Sequence, residues 1–183
     1  MIGKLIVLSG PGGVGKSTIS NEIRKDDRFV LSISFTTRKP REGEIDGYDY
    51  HFITDGEFNE LIATNALLEH AQFAGAKYGT PRSAVESALE SGKHVLLEIE
   101  ISGARQVRNH FPTAILVFLM PPSWEELKAR ITARGTDHPE RIAARLELAE
   151  AEMAAASDFD QILVNHEVDE VVRGLVALAT AAE

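Results

Sequence analysis

Short, nearly continuous apolar runs recur along the chain, each followed by a stretch whose apolar residues return every three or four positions. Leu5 to Leu8, Phe29 to Ile33, Val95 to Ile101, Ala114 to Met120 and Gln161 to Val164 have the length and composition of strands. Runs with so little polar alternation are characteristic of strands covered on both faces, as in a parallel sheet. Helices are predicted over Ser17 to Lys25, after Thr54, up to about Gly92, over Ser102 to His110, after Ser123, after Pro139 and over Asp169 to Ala181. In the helix after Pro139, Ile142, Leu146, Ala149 and Met153 fall at i, i+4, i+7 and i+11, one apolar stripe. Three Ser/Thr-x-x-Glu patterns, Thr54 with Glu57, Ser83 with Glu86 and Ser123 with Glu126, predict capping boxes at helix starts. Gly135 breaks the helix that ends at Arg134. Strands alternating with helices give an α/β class, here a core with a parallel five-stranded sheet flanked by helices. Between its halves lies an insert of roughly residues 32 to 85. Its predicted strands are Tyr48 to Ile53, Ala66 to Ala71 and Gln72 to Thr80.

A length of 183 residues suits one compact α/β domain with inserted lobes. Cysteine is absent, which excludes disulfide frameworks, thiolate metal sites and cysteine nucleophiles. The formal charge of −9, from 28 acidic and 19 basic residues, argues against nucleic acid or an anionic membrane as the main partner. The first apolar run is interrupted by Gly10-Pro11-Gly12-Gly13, too early for a secretory signal, and no apolar stretch approaches the ~18 residues of a membrane span. A cytoplasmic protein, monomeric or a small homo-oligomer, is the expectation.

The first strand runs into Gly10 to Ser17, which matches G-x-x-x-x-G-K-S/T in its required setting of strand, glycine turn and helix. Glycines let the backbone of this turn approach a polyphosphate, and its N–H groups gather at the positive end of the following helix. Gly10, Pro11, Gly12, Gly13, Val14, Gly15, Lys16, Ser17 and Thr18 are therefore the predicted ATP-binding segment. Lys16 supplies a charge for the β and γ phosphates, and the Ser17 hydroxyl suits Mg²⁺. Glu98, Glu100 and Asn165 follow core strands, where ligands of such sheets collect.

In the insert, Arg38 and Arg41 lie on an extended segment kept from helix by Pro40 and Gly43. With the phenols of Tyr50 and Tyr78 they suit a phosphate monoester, the alternative being a solvated turn paired with Glu42 and Glu44. The six histidines show no metal-ligand spacing and read as structural or surface residues.

Here the sequence resembles the guanylate kinases. The resemblance rests on Ser9 to Thr18, on Ser34 to Phe52 (S-F-T-T-R-K-P-R-E-G-E-I-D-G-Y-D-Y-H-F), on Glu69 and Tyr78-Gly79-Thr80, on Glu98 to Val107, and on Arg130 to Arg145 with its R-G-T. It spans essentially the whole chain. It implies a P-loop core of residues 1–31, 86–123 and 158–183, a GMP-binding lobe at 32–85 and a lid at 124–157. It implies that Arg38, Arg41, Tyr50 and Tyr78 hold the GMP phosphate and that Ser34, Glu69, Thr80 and Glu100 surround guanine. Arg134 and Arg145, aided by Arg41 and Lys16, would reach the transferring phosphoryl group. Arg130 and Asn165 would lie beside ATP, and Glu98 would sit near the metal, acting through water. Glu126 with Arg130 at i, i+4 is the competing reading for that arginine, a helix pair on the surface. Two positions depart from the family pattern: Glu100 replaces the usual Asp, and Ser102 the usual Gln.

The implied reaction is reversible, ATP plus GMP or dGMP giving ADP plus the diphosphate. Base chemistry agrees: guanine offers adjacent donors at N1 and N2 that one carboxylate accepts, whereas adenine sets a lone pair at N1 against it. Two other readings stand beside this one, a guanylate-kinase-like module that binds without turnover and a P-loop kinase for another small phosphate acceptor. A GTPase switch lacks its N-K-x-D segment here.

Overall fold

The computed structural model describes residues 2–133 and 138–181. Its elements in chain order begin with β1 (Leu5–Ser9), α1 (Lys16–Ile23) and β2 (Phe29–Leu31). The inserted part contains β3 (Phe35–Thr36), β4 (His51–Phe52), α2 (Asp55–Ala63), β5 (Leu67–Phe73) and β6 (Ala76–Pro81). The chain continues through α3 (Arg82–Glu90), β7 (His94–Glu98), α4 (Ile101–His110) and β8 (Ile115–Met120). It closes with α5 (Trp124–Thr132), α6 (Pro139–Ala154), β9 (Gln161–Val164) and α7 (Val168–Thr180).

Five strands form one sheet in the order β2-β7-β1-β8-β9, every pair parallel. Period two sorts β1 between two cores. Ile6 and Leu8 pack with Ile19 and Ile23 of α1 and Leu175 of α7 on one face. Leu5 and Val7 pack with Val85 and Leu89 of α3 and Val107 of α4 on the other. The apolar runs of β1, β7 and β8 are thus strands buried on both faces, whereas β2 and β9 lie at the sheet edges with exposed residues. After β1 the chain first builds one flank of the sheet and then crosses to β8 on the other. The carboxyl end of β1 is the resulting crevice, and the glycine turn lies there. Among the described residues, no helix is long and apolar enough to cross a membrane.

The insert forms a second sheet, β4-β3-β6-β5, antiparallel except between β3 and β4. Only His51 and Phe52 of the predicted Tyr48 to Ile53 strand enter it. Asp49 accepts from the N–H of Ile45 (2.8 Å) and Asp46 from that of Phe52 (2.9 Å), so side chains hold this backbone in turns.

The predicted caps divide. Thr54 forms a full capping box with Glu57 at the start of α2, and Ser123 accepts from the N–H of Glu126 at the start of α5. Ser83 caps nothing: β6 runs straight into α3, whose N-cap is Pro81. The first N–H of that helix donates instead to Ala66 O at 2.9 Å, a backbone partner invisible to local spacing. Thr54→Ala is expected to cost about 1 kcal/mol, or a few degrees in Tm for a chain of this size. Thermal denaturation checks this, and an unchanged Tm would show that the box does not hold α2.

Candidate active site

Gly15 is the N-cap of α1 with φ 105°, and a Cβ there would lie 2.7 Å from Asn165 Nδ2. Glycine meets both demands. Asn165 follows β9, is buried, and donates Nδ2 to Val14 O at 2.8 Å, bracing the loop from behind. Lys16 folds its ammonium back onto Gly10 O (2.6 Å) and Pro11 O (3.2 Å). Burial lowers its pKa, opposed by the carboxylates of Glu98, Glu152 and Glu100. Ser17 Oγ donates to Glu98 Oε1 at 2.8 Å, which sets two hard oxygen donors side by side. That pair has the chemistry a Mg²⁺ ion takes.

A cleft of about 610 Å³ opens over this loop, lined by Gly13, Gly15, Lys16, Ser17 and Thr18, with Arg130 and Asn165 at its sides. Gly10, Pro11 and Val14, predicted with them, face inward: the first two give carbonyls to Lys16, and the Val14 side chain is in the core. The Gly12 N–H donates to Glu152 Oε2 of α6 at 3.1 Å. Arg130 forms the helix pair foreseen with Glu126 at 3.3 Å and also donates to Val14 O of the loop at 3.2 Å. Arg145 is on α6, half-buried, and Arg134 lies outside the described residues.

The second cavity, about 330 Å³, is lined by Arg38, Arg41, Tyr50 and Tyr78, with Ser17 and Glu98 also bordering it. Arg38 meets Glu44 through both terminal nitrogens, at 2.9 and 2.8 Å, and Glu44 also accepts the Arg41 N–H at 2.7 Å. The acid pairing foreseen for this turn is real for Glu44. It also aims the arginine, whose guanidinium carbon lies 5.4 Å from the centre of the Tyr50 ring. Tyr50 and Tyr78 meet edge to face, ring centres 6.0 Å apart. Burial raises the pKa of Tyr50, which keeps its phenol a donor.

The third cavity, about 240 Å³, is lined by Ser34, Glu69, Tyr78, Glu98 and Glu100, with Lys16 at its border. Glu69 is only 5 % exposed, which rejects a surface role for it. Its Oε1 accepts the Thr80 hydroxyl at 2.6 Å across the β5–β6 pair. Thr80, predicted at the base, is fully buried, does not line this cavity and gives its hydroxyl to Glu69. Burial raises the pKa of that carboxyl; hydrogen bonds from the Thr80 side chain and backbone counteract it. Glu100 is the N-cap of α4, and its side chain makes no cap bond.

Sequence reasoning missed three residues here. Glu152 meets the phosphate loop, Arg24 at the end of α1 stacks 4.2 Å over the Tyr48 ring beside the second cavity, and Phe73 lines the third. None carries a local motif, and each acts through a contact distant in sequence. Glu98 lines all three cavities, with Ser17 shared by the first two.

A phosphate loop at the crevice of a parallel sheet, joined to an arginine and tyrosine cavity on an inserted lobe, defines a P-loop kinase of small phosphorylated acceptors. Comparison with known proteins narrows the class. The chain belongs to the guanylate kinase family, whose sequence model matches residues 2–182. It is thus a nucleoside monophosphate kinase. It is 56% identical over 179 residues to a guanylate kinase of Thermobifida fusca, covering 97% of this chain and 91% of that one. It is also 56% identical over 176 residues to one of Streptomyces coelicolor, covering 96% and 89%. A crystal structure of guanylate kinase from Anaplasma phagocytophilum superposes with TM-score 0.80 at 31% identity, covering 99% of this chain and 88% of that one.

Proposed function

We propose that this enzyme transfers the γ-phosphoryl group of ATP to GMP or dGMP, reversibly, giving ADP and the nucleoside diphosphate. The observation that carries the reading is the meeting of the three cavities at Glu98, with Ser17 shared by the donor cleft and the arginine and tyrosine cavity. In this reading residues 32–85 form the acceptor lobe and 124–157 a lid over ATP, on the core of residues 1–31, 86–123 and 158–183. The enzyme acts in the cytoplasm on small nucleotides, not on nucleic acid or a membrane.

The acceptor phosphate takes the guanidinium groups of Arg38 and Arg41 and the hydroxyls of Tyr50 and Tyr78. The base takes Glu69 and Ser34, with Glu100 at its edge. The longer Glu100 side chain, unbound to its own helix, has the reach for this. With a second pKa near 6, the acceptor phosphate is mostly dianionic at neutral pH and needs no general base. What remains is to align two polyanions and neutralise the charge that develops between them. Lys16, Arg41, Arg134 and Arg145 supply the positive charge, Lys16 by leaving its two loop carbonyls. Ser17 and Glu98, the latter through water, would hold Mg²⁺, which when bound offsets charge on the donor phosphates.

A coupled assay of ADP release with Mg²⁺ and ATP tests the proposal across GMP, dGMP, AMP, UMP and ribose 5-phosphate. Turnover with the guanine nucleotides and little with the others is expected. Absence of GMP-dependent turnover would make the chain a binding module, and equal turnover with AMP would overturn the base assignment.

A further inference from the structure

Helix α4 is stitched to strand β5 by side chains on one helical face. The Gln106 amide makes two hydrogen bonds with the backbone of His70, accepting its N–H at 3.2 Å and donating to its carbonyl at 2.8 Å. One turn further on, His110 Nδ1 meets Leu68 O at 3.0 Å. Between those two strand residues is Glu69, and the helix residue facing it is Gly103. A Cβ on Gly103 would stand 2.5 Å from Glu69 Oε2 and 3.1 Å from Glu69 Cδ. The other carboxylate oxygen is held by Thr80. The carboxylate is gripped from both sides.

Backbone conformation does not explain this glycine. Gly103 is the third residue of α4, outside the positive-φ glycines, where alanine is the better helix former. The missing side chain is accounted for by the seat it leaves. The near atoms, Glu69 Oε2 and Cδ and Ile99 Cδ1, are all side-chain ends, so an added methyl would be accommodated by displacing the Glu69 carboxylate from this seat.

We infer that Gly103 is a positioning residue for base recognition: by leaving room for Glu69 Oε2 it fixes the plane and depth of the carboxylate, with Gln106 holding helix and strand in register. The inference rests on Glu69 reading the guanine base. Gly103 itself touches no substrate. It acts by leaving this seat open opposite the oxygen that Thr80 holds, and a pre-set acceptor geometry is what lets a buried site reject a base with the wrong edge.

The test measures steady-state kinetics of Gly103→Ala, Glu69→Asp and the double variant. Gly103→Ala is expected to lower kcat/KM for GMP by roughly ten- to a hundredfold, mainly through KM for GMP, with KM for ATP unchanged. Shortening Glu69 by one methylene makes room for the new methyl, so the double variant should lose less than the product of the single losses. Thermal shift with ATP establishes that each variant is folded. Should Gly103→Ala fail to fold, Gln106→Ala takes its place, with the same expected rise in KM for GMP alone. Unchanged GMP kinetics in folded Gly103→Ala, or losses that simply multiply, would overturn the inference. Glu69→Gln separates the two levels. If it abolishes GMP preference while Gly103→Ala does not, only this inference fails; if it leaves GMP kinetics intact, the base site itself was misassigned.

Discussion

Glu69→Gln is expected to lower kcat/KM for GMP by roughly 10²-fold or more while leaving KM for ATP nearly unchanged. The carboxylate has two oxygens for the two adjacent donors of guanine; an amide has one, and sets its own N–H against the other donor. Because the group is 5 % exposed, water cannot make good the loss. The pH profile carries the same signature. Burial raises the Glu69 carboxyl above the ordinary 4.5, and recognition needs it ionised. Kcat/KM for GMP should therefore fall, as pH is lowered, earlier than an ordinary carboxylate would cause. Protonation of the acceptor phosphate near pH 6 affects both enzymes alike, so the ratio of wild type to variant isolates Glu69. Stability should move the other way. A carboxyl whose folded pKa exceeds its unfolded one opposes folding when ionised, and that penalty is relieved as pH drops through the folded pKa. At neutral pH the Gln variant is accordingly expected to show a higher Tm than wild type without ligand. Equal Tm values, or unchanged GMP kinetics, would contradict this account of the pocket.

The second large effect is expected at Lys16. Lys16→Met keeps the length and removes the charge, and kcat should fall by roughly 10²- to 10³-fold, the scale for losing one preorganised donor to developing charge. In the free enzyme the ammonium is bonded to Gly10 O and Pro11 O, with Glu98, Glu100 and Glu152 acting on it electrostatically. Its removal leaves three acidic side chains beside the incoming triphosphate with less to oppose them. ATP affinity, measured by titration calorimetry, should weaken as well, whereas GMP affinity should change far less. A variant that retains wild-type kcat would show that the lysine does not reach the reacting phosphates.

Much of this architecture was legible in the sequence because its signals are local. A strand covered on both faces announces itself as an apolar run, and the phosphate loop carries its own context; β1, β7 and β8 and the Gly10–Ser17 turn followed from these. The resemblance supplied what spacing could not, namely that Ser34, Glu69 and Glu100, far apart in sequence, belong to one base site. What escaped was set by long-range partners. Ser83 matched a capping box, yet the Ala66 carbonyl, far off in sequence, fixes the helix start two residues away at Pro81. The Tyr48 to Ile53 strand shrank because Asp46 and Asp49 compete for the backbone. Thr80 was assigned to the base but spends its hydroxyl on Glu69. Glu152 gave no signal, since a glutamate on an amphipathic helix reads as a solvated face until the helix is seen to end beside Gly12.

The claim beneath all of these is that donor and acceptor nucleotides meet end to end across Ser17 and Glu98. The most direct measurement is the affinity of adenosine joined to guanosine through a 5′,5′-polyphosphate long enough to fill both sites, set against ATP and GMP alone. Joining the halves turns the second contact into an intramolecular one, and binding should tighten by about 10² or more over the better half. Affinity no better than that of ATP, with the guanosine end still free to be exchanged for adenosine, would contradict the account.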